Sequence, residues 1–249
     1  MPPAVANVVE SFCAVELYLP DYITKALALP LLRASRGRAW FHANWGYEES
    51  KHSLALGDWL LRSGLRSEEQ MADLEGQVFD HEWELPRDSR MGMILYGMAQ
   101  ELVTWLNYRN LRQRVDEIGD PALSRILGYI SVDERCHHEF YKRIALMYLE
   151  RDRQGTLEEL RRVLQTFAMP ALHMLADSRQ RVAEVKSLNI FSEEIFFQDV
   201  LRPLLAALGV TWSEFRQRDP QRKSWPAIPN DPPVAKGRER KAAVAKYGS

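Results

Sequence analysis

Apolar residues recur at three- and four-residue intervals along most of this chain, and no run alternates apolar with polar long enough to make a strand. The pattern predicts helix almost throughout. A first helix is expected from about Ala6 to Ala28, with Val9, Phe12, Cys13, Glu16 and Leu19 at helical spacing and a kink at Pro20. Pro30 and Ser35-Arg36-Gly37 mark a turn. The second helix should run from about Arg38 to Arg62 with Gly64 as C-cap. Ser67 followed by Glu68, Glu69 and Gln70 reads as an N-cap entering a shorter helix to about Phe79. His81 to Asp88, containing Pro86, reads as a connector. A third long helix is expected from about Ser89 to Ile118, closed by Gly119-Asp120-Pro121, and a fourth from Pro121 to about Arg151. Two further helices, about Thr156–Ser178 and Ser192–Leu208, and a short piece at Ser213–Arg218 complete the pattern.

After Asp219 the periodicity stops. Five prolines (220, 226, 229, 232 and 233) precede a lysine/arginine run that reads as an extended tail. The expected organisation is therefore one helical bundle domain over residues 1–218 and a Pro-rich, then basic, disordered tail over 219–249. With 249 residues and 46% apolar positions, the chain can bury one large core. The net charge of −1 is unevenly spread: residues 216–249 carry nine Lys/Arg against three Asp/Glu, and residues 1–215 carry 24 against 31. No run of about 18 apolar residues exists to span a membrane, and the N-terminus lacks the basic start and apolar core of a secretory signal. Two cysteines, Cys13 and Cys136, are too few for a disulfide framework and fit a reducing cytoplasm, which is the expected location. No nucleic-acid partner is expected.

Two stretches give the helices a chemistry. Glu49-Ser50-Lys51-His52 and Glu134-Arg135-Cys136-His137 are each a Glu-x-x-His on a helix, so carboxylate and imidazole project from one face. Glu16 and Glu101 each precede one of these glutamates by 33 residues. Glu16, Glu49, His52, Glu101, Glu134 and His137 form the six-ligand set of a four-helix carboxylate site for two irons. Hard carboxylate oxygens and imidazole nitrogen suit iron that reduces oxygen. The spacing assigns Glu49 and Glu134 as bridges, Glu16 and His52 to one iron, and Glu101 and His137 to the other. All six fall mid-helix among apolar neighbours, where an unpaired carboxylate is costly. The turn at Gly119 lies roughly 27 Å of helix from Glu101 and roughly 20 Å from Glu134, at ~1.5 Å per residue, so an antiparallel hairpin brings both to similar heights. The rival reading is a plain bundle with solvated acidic faces.

Other residues are read more plainly. His138 lies about 100° around the helix from His137 and should face elsewhere. His42, His81 and His173 lack ligand partners at helical spacing, and Cys136 is read as a packing residue. Trp45, one turn before Glu49, shares its face. Asp133, Glu48 and Thr104 neighbour ligands and could orient them. Phe12, Leu27, Met93, Leu95, Tyr96, Met98 and Phe140 are candidates to line an apolar channel.

The sequence resembles the soluble acyl-[acyl-carrier-protein] desaturases, the plant stearoyl type and its bacterial relatives. The resemblance is carried by Glu16-Leu17-Tyr18-Leu19-Pro20-Asp21-Tyr22, by Trp45 to His52, by Gln100-Glu101-Leu102-Val103-Thr104, and by Asp133 to His137 with Tyr141 and Ile144. It continues more weakly through Met169 to Met174 and Asn189-Ile190-Phe191, covering about residues 10–208. It implies an all-α, ferritin-like four-helix bundle core with additional helices, and iron bound by the six residues above. Trp45, Thr104 and Asp133 match positions that support the family's ligands and are the expected catalytic auxiliaries. It further implies a homodimer, electrons from a ferredoxin, and dioxygen used to remove two hydrogens from a saturated acyl chain on an acidic acyl carrier protein. The long N-terminal segment of the plant enzymes is expected to be absent, the connection from Glu16 to Glu49 is shorter, and the wording around Pro86–Met91 differs. The alternatives are a di-iron oxygenase hydroxylating a specialised carrier-bound acyl substrate and a non-catalytic metal-binding bundle.

Overall fold

A computed structural model describes residues 1–21, 24–25, 28, 35–81, 85–169 and 175–217. Helix α1 is Pro3–Leu17, opening with proline in its first turn, where a missing N–H costs nothing. It is shorter at its C-terminal end than the periodicity predicts. Pro20 cannot donate to the carbonyl of Glu16 and its ring crowds it, so the ladder ends there and a one-turn piece, Leu19–Asp21, follows. The predicted turn at Pro30, the channel candidate Leu27 and His173 lie outside the described residues, as does the proposed tail, 219–249.

Helix α2 is Arg36–Arg62, capped by Ser35, with Gly64 in the left-handed region (φ 70°) just past its end. Helix α3 is Glu68–Phe79, entered through the predicted cap: Ser67 and Gln70 exchange side-chain and backbone hydrogen bonds. Helix α4 (Arg90–Ile118) starts at Ser89, whose hydroxyl accepts from the Gly92 amide, and closes on Gly119 at φ 86°. Helix α5 (Pro121–Arg151) begins at once, with the Asp120 carboxylate accepting from the amides of Ala122 and Leu123 and from the Trp59 indole. Cap and turn residues thus fold α4 and α5 into the expected antiparallel hairpin.

Beyond α5 the predicted boundaries need correction. The expected helix Thr156–Ser178 is α6, Arg153–Gln165, starting one turn earlier at the Asp152 cap. It ends at Gln165, where the Thr166 amide closes on the Arg162 carbonyl. A helix absent from the sequence reading, α7, runs Ser178–Ser187. Its only buried residues are Arg181 and Val185, so it has almost no apolar period to detect. Segments Glu193–Ile195, Phe196–Leu201 and Arg202–Ala207 follow as one continuous helical stretch, α8, whose middle is a π-turn. Pro203 lacks the donor for the carbonyl one turn back, and the widened turn before it, with the Arg202 amide bonded to the Phe197 carbonyl, absorbs that loss. A last short helix, α9, is Trp212–Arg216.

The architecture is all-α, a ferritin-like bundle of α1, α2, α4 and α5, and no strand occurs among the described residues. Two apolar clusters fill it. On α5, Leu123, Leu127 and Ile130 belong to one and Tyr141, Ile144 and Ala145 to the other, with Glu134 and His137 between them. A polar clamp secures the outer side of α1. Glu10 pairs with Arg66 and with Arg181 (2.8 Å), and Arg181 also bonds Ser11 (3.0 Å) and Asp177 (2.6 Å), tying α1 to α7.

Candidate metal centre

Glu16 comes from α1, Glu49 and His52 from α2, Glu101 from α4, and Glu134 and His137 from α5; all six are buried. The helical spacing that puts each Glu-x-x-His on one face turns both pairs into the bundle, where the facing helices add one carboxylate each. The result is two overlapping quartets: Glu16, Glu49, His52 and Glu134, and Glu49, Glu101, Glu134 and His137. Within each, one ligand atom per residue lies within 4.8 Å of all the others. Glu49 and Glu134 are common to both.

The two imidazoles are placed alike. His52 turns Nδ1 inward, 3.2 Å from Glu134 Oε1, 3.9 Å from Glu49 and 4.0 Å from Glu16, while its Nε2 meets Asp133 at 3.3 Å. His137 turns Nδ1 inward, 3.1 Å from Glu49 and 3.3 Å from Glu101, while its Nε2 meets Glu48 at 2.9 Å. An outer carboxylate holding one ring nitrogen fixes the tautomer that leaves the inner lone pair free. Neither Nδ1 has a hydrogen bond of proper geometry, and Glu49 Oε1 and both oxygens of Glu134 also lack one. Five orphaned, buried polar atoms converging on one space are expensive. A divalent cation in each quartet would supply what they lack, and the donor set of four carboxylates and two imidazoles suits a hard or borderline transition metal.

The electrostatics carry the same message. Burial, reinforced by the charges of Glu134 and Glu101, pushes the Glu49 carboxyl up to about 7. Burial and the Glu134 charge push Glu101 up to about 8, and burial with Glu49 and Glu134 raises Glu16 well above the usual carboxylate range. Burial opposes an imidazolium at His52, yet Asp133 and Glu134 carry its pKa up to about 11. At His137 burial acts in the same sense and is outweighed by Glu101, Glu134 and Glu49. Burial would raise Glu134 too, but bonds to His137 and His52 hold it far below the usual range. Without a cation, protons do the neutralising.

The supporting residues divide. The Trp45 indole donates to Glu101 Oε1 at 3.0 Å, and Asp133 and Glu48 reach the two histidines. The Thr104 hydroxyl donates to the Gln100 carbonyl (2.9 Å) rather than to one of the six. Tyr108, unremarked in the sequence, donates its buried hydroxyl to Glu16 Oε1 at 2.5 Å. The signal for it was present: seven residues past Glu101 is two helical turns, on nearly the same face. His138 turns away to the Met98 carbonyl (2.8 Å), as expected, and His42 bonds the Arg38 carbonyl. Cys136 corrects its reading as a packing residue. It is exposed, because two positions past Glu134 is the opposite side of α5.

Beside Glu16 lies a mostly apolar cavity of about 360 Å³, walled by α1, α4, α7 and α8 and the end of α6. Of the described channel candidates only Phe12 lines it. Leu95, Tyr96 and Met98 are fully packed core, and Phe140 stacks flat on Phe41. The opening forms under α7, the helix the periodicity did not reveal, which contributes Val182, Val185 and Lys186 to its lining.

Residues 11–214 match the family described as fatty acid desaturase. The chain belongs to this family. A curated relative is stearoyl-[acyl-carrier-protein] 9-desaturase 6, chloroplastic, of Arabidopsis thaliana. It is 31% identical over 172 residues, 65% of this chain and 43% of that protein. DesA1 of Mycobacterium tuberculosis is 23% identical over 183 residues, 70% of this desaturase-family chain and 52% of its own length. The chain thus spans about half the length of these curated relatives. The X-ray structure of DesA2 from Mycobacterium tuberculosis H37Rv superposes with a TM-score of 0.65, at 17% identity, over 86% of this chain and 76% of that one. At that identity the likeness speaks to the fold. Among the described residues no helix is long and apolar enough to cross a membrane.

Proposed function

We propose that this family member is an acyl-[acyl-carrier-protein] desaturase, which uses dioxygen to introduce a double bond into a saturated acyl chain on acyl carrier protein. The observation that carries this reading is the pair of quartets sharing Glu49 and Glu134, with an apolar cavity against Glu16. Glu16 and His52 would complete one iron site and Glu101 and His137 the other, with Glu49 and Glu134 bridging. Two irons held there supply the reduction of dioxygen and the oxidising power to remove two hydrogens from an unactivated chain. Everything else falls to the protein. Trp45 and Tyr108 fix the terminal carboxylates of Glu101 and Glu16; Asp133 and Glu48 fix the imidazoles. The cavity's apolar wall holds an acyl chain against that cluster and excludes water. Ferredoxin is the proposed electron donor and a homodimer the proposed assembly.

The chain's basic tail, with Lys236, Arg238, Arg240, Lys241 and Lys246, complements an acidic carrier protein. Deleting residues 219–249 should raise the KM for carrier-bound substrate, most at low salt. An unchanged KM would remove the tail from the reaction.

The deciding experiment loads the protein with ferrous iron and supplies a reduced ferredoxin system, dioxygen and an acyl-carrier panel. Product mass then discriminates. Loss of two hydrogens supports desaturation, gain of one oxygen atom supports hydroxylation, and no product with two irons bound supports a non-catalytic bundle.

A further inference from the structure

Of the residues lining the cavity, Glu16 and Tyr108 are buried, whereas Val182 and Lys186 on α7 and Glu193 at the start of α8 are exposed. The cavity therefore runs from a metal-site carboxylate to a mouth between α7 and α8, and that mouth is charged. Lys186 is the one cation among the described lining residues, and its Nζ reaches Glu193 Oε2 at 3.4 Å, joining the two helices. Ser192, also in the lining, accepts from the Ile195 amide to cap α8, and its hydroxyl hydrogen has no acceptor among the described residues. An ion pair between exposed side chains is worth little, because water solvates each partner nearly as well. The Lys186–Glu193 pair is a weak fastening of α7 to α8 and an easy contact to exchange.

We infer that Lys186 and Ser192 form an anion-binding rim at this mouth, with Glu193 holding Lys186 until an anionic group on the ligand's outer end replaces it. This assignment rests on the reading of the cavity as an acyl pocket and adds a requirement outside the hydrocarbon chain. The chain itself offers an ammonium nothing to bind, but what it is attached to does. The anion has two sources with the same chemistry: the phosphate of a pantetheine arm, or the carboxylate of an unesterified acid. Either presents charged oxygens that accept from the Lys186 ammonium and the Ser192 hydroxyl. In a mostly apolar pocket the few polar groups fix a ligand's orientation. Lys186 is then the residue that sets how the outer end is held.

Binding to the full-length, metal-loaded protein, without reductant so that nothing turns over, tests this by calorimetry with two pairs of ligands of equal chain length. One pair is an acyl pantetheine thioester with and without its phosphate; the other is a free fatty acid and its methyl ester. In at least one pair the anionic member should bind about fivefold tighter than its neutral counterpart, the scale of a charged contact at an exposed rim. The pair that gains identifies the source. Lys186→Met should erase that advantage and leave the neutral members unchanged. Arg179→Met, the same charge change on α7 but outside the cavity lining, should preserve it. Glu193→Gln should tighten the anionic member alone, since Lys186 then has no competing partner. Equal binding within both pairs, an advantage that survives Lys186→Met, an equal loss in Arg179→Met, or no gain in Glu193→Gln would overturn the inference. The wild-type comparison needs no substitution, so a misfolded variant would not shield it. Binding by none of the four would overturn the acyl-pocket reading as well, whereas equal binding by all leaves that reading intact.

Discussion

Tyr108 does at the α1 carboxylate what Trp45 does at the α4 carboxylate. A buried donor on a neighbouring helix fixes one glutamate oxygen and leaves the other for a cation. Such partners commonly govern metal affinity by 10–100-fold. Tyr108→Phe should therefore weaken loading of the centre with ferrous or cobaltous ions by about tenfold, read by competition with a chromogenic chelator. Loading unchanged from the wild type would assign Tyr108 to packing alone. The ligands also set a pH dependence. Glu49 and Glu101 have folded-state pKa values raised to about 7 and 8, so the stabilisation of their neutral forms is lost as pH rises through those values. His52, raised to about 11, contributes stability present below its ordinary value of 6.5 and lost as pH climbs towards 11. Glu134, depressed, acts in the opposite sense only in acid. From pH 6 to 9 the melting temperature of the metal-free protein should fall. That of the loaded protein should fall much less, because cations replace the protons; parallel melting curves would contradict this. Most of this site was legible in the sequence, because two Glu-x-x-His pairs and two glutamates at equal intervals specify identity, order and face together. Tyr108 was legible only in part: its register two turns past Glu101 marks its face, but its partner on α1 appears only once the helices are assembled.

At the scale of elements, the α4–α5 hairpin sets the heights of Glu101 and Glu134, and Gly119 makes that hairpin possible. Its φ of 86° is a left-handed conformation, while a Cβ added there would meet nothing within 4 Å. Gly119→Ala is thus a test of backbone strain alone and should cost roughly 1–2 kcal/mol in chemical denaturation. A neutral result would mean the turn relaxes without penalty. The hairpin was readable because glycine, aspartate and proline occur there in the order that ends one helix and starts the next. The α6–α8 region was not: α7 buries an arginine rather than an apolar stripe, and α8 hides a π-turn behind a regular pattern. Those are the elements that roof the cavity, and of the described channel candidates only Phe12 lines it.

For the whole molecule, the outer face of α2 stands out. Trp40, Tyr47, Leu54 and Leu61 are all exposed and lie seven residues apart, a stripe about 31 Å long at ~1.5 Å per residue. Arg36 and Lys51 cover parts of two rings, and the rest faces outward. An apolar row of this length on a bundle's surface suits the proposed homodimer. Leu54→Glu should shift the sedimenting species from dimer to monomer with helical content unchanged. A dimer that persists would move the contact elsewhere.

The sharing of Glu49 and Glu134 has a consequence for how the centre fills. Four carboxylates with neutral imidazoles carry four negative charges, which two divalent ions balance and one does not. A half-loaded bundle would hold two uncompensated charges in its driest region, a state penalised relative to both empty, proton-neutralised and full ones. Scarce metal would then sort the population into empty and complete molecules rather than spread itself one ion to each.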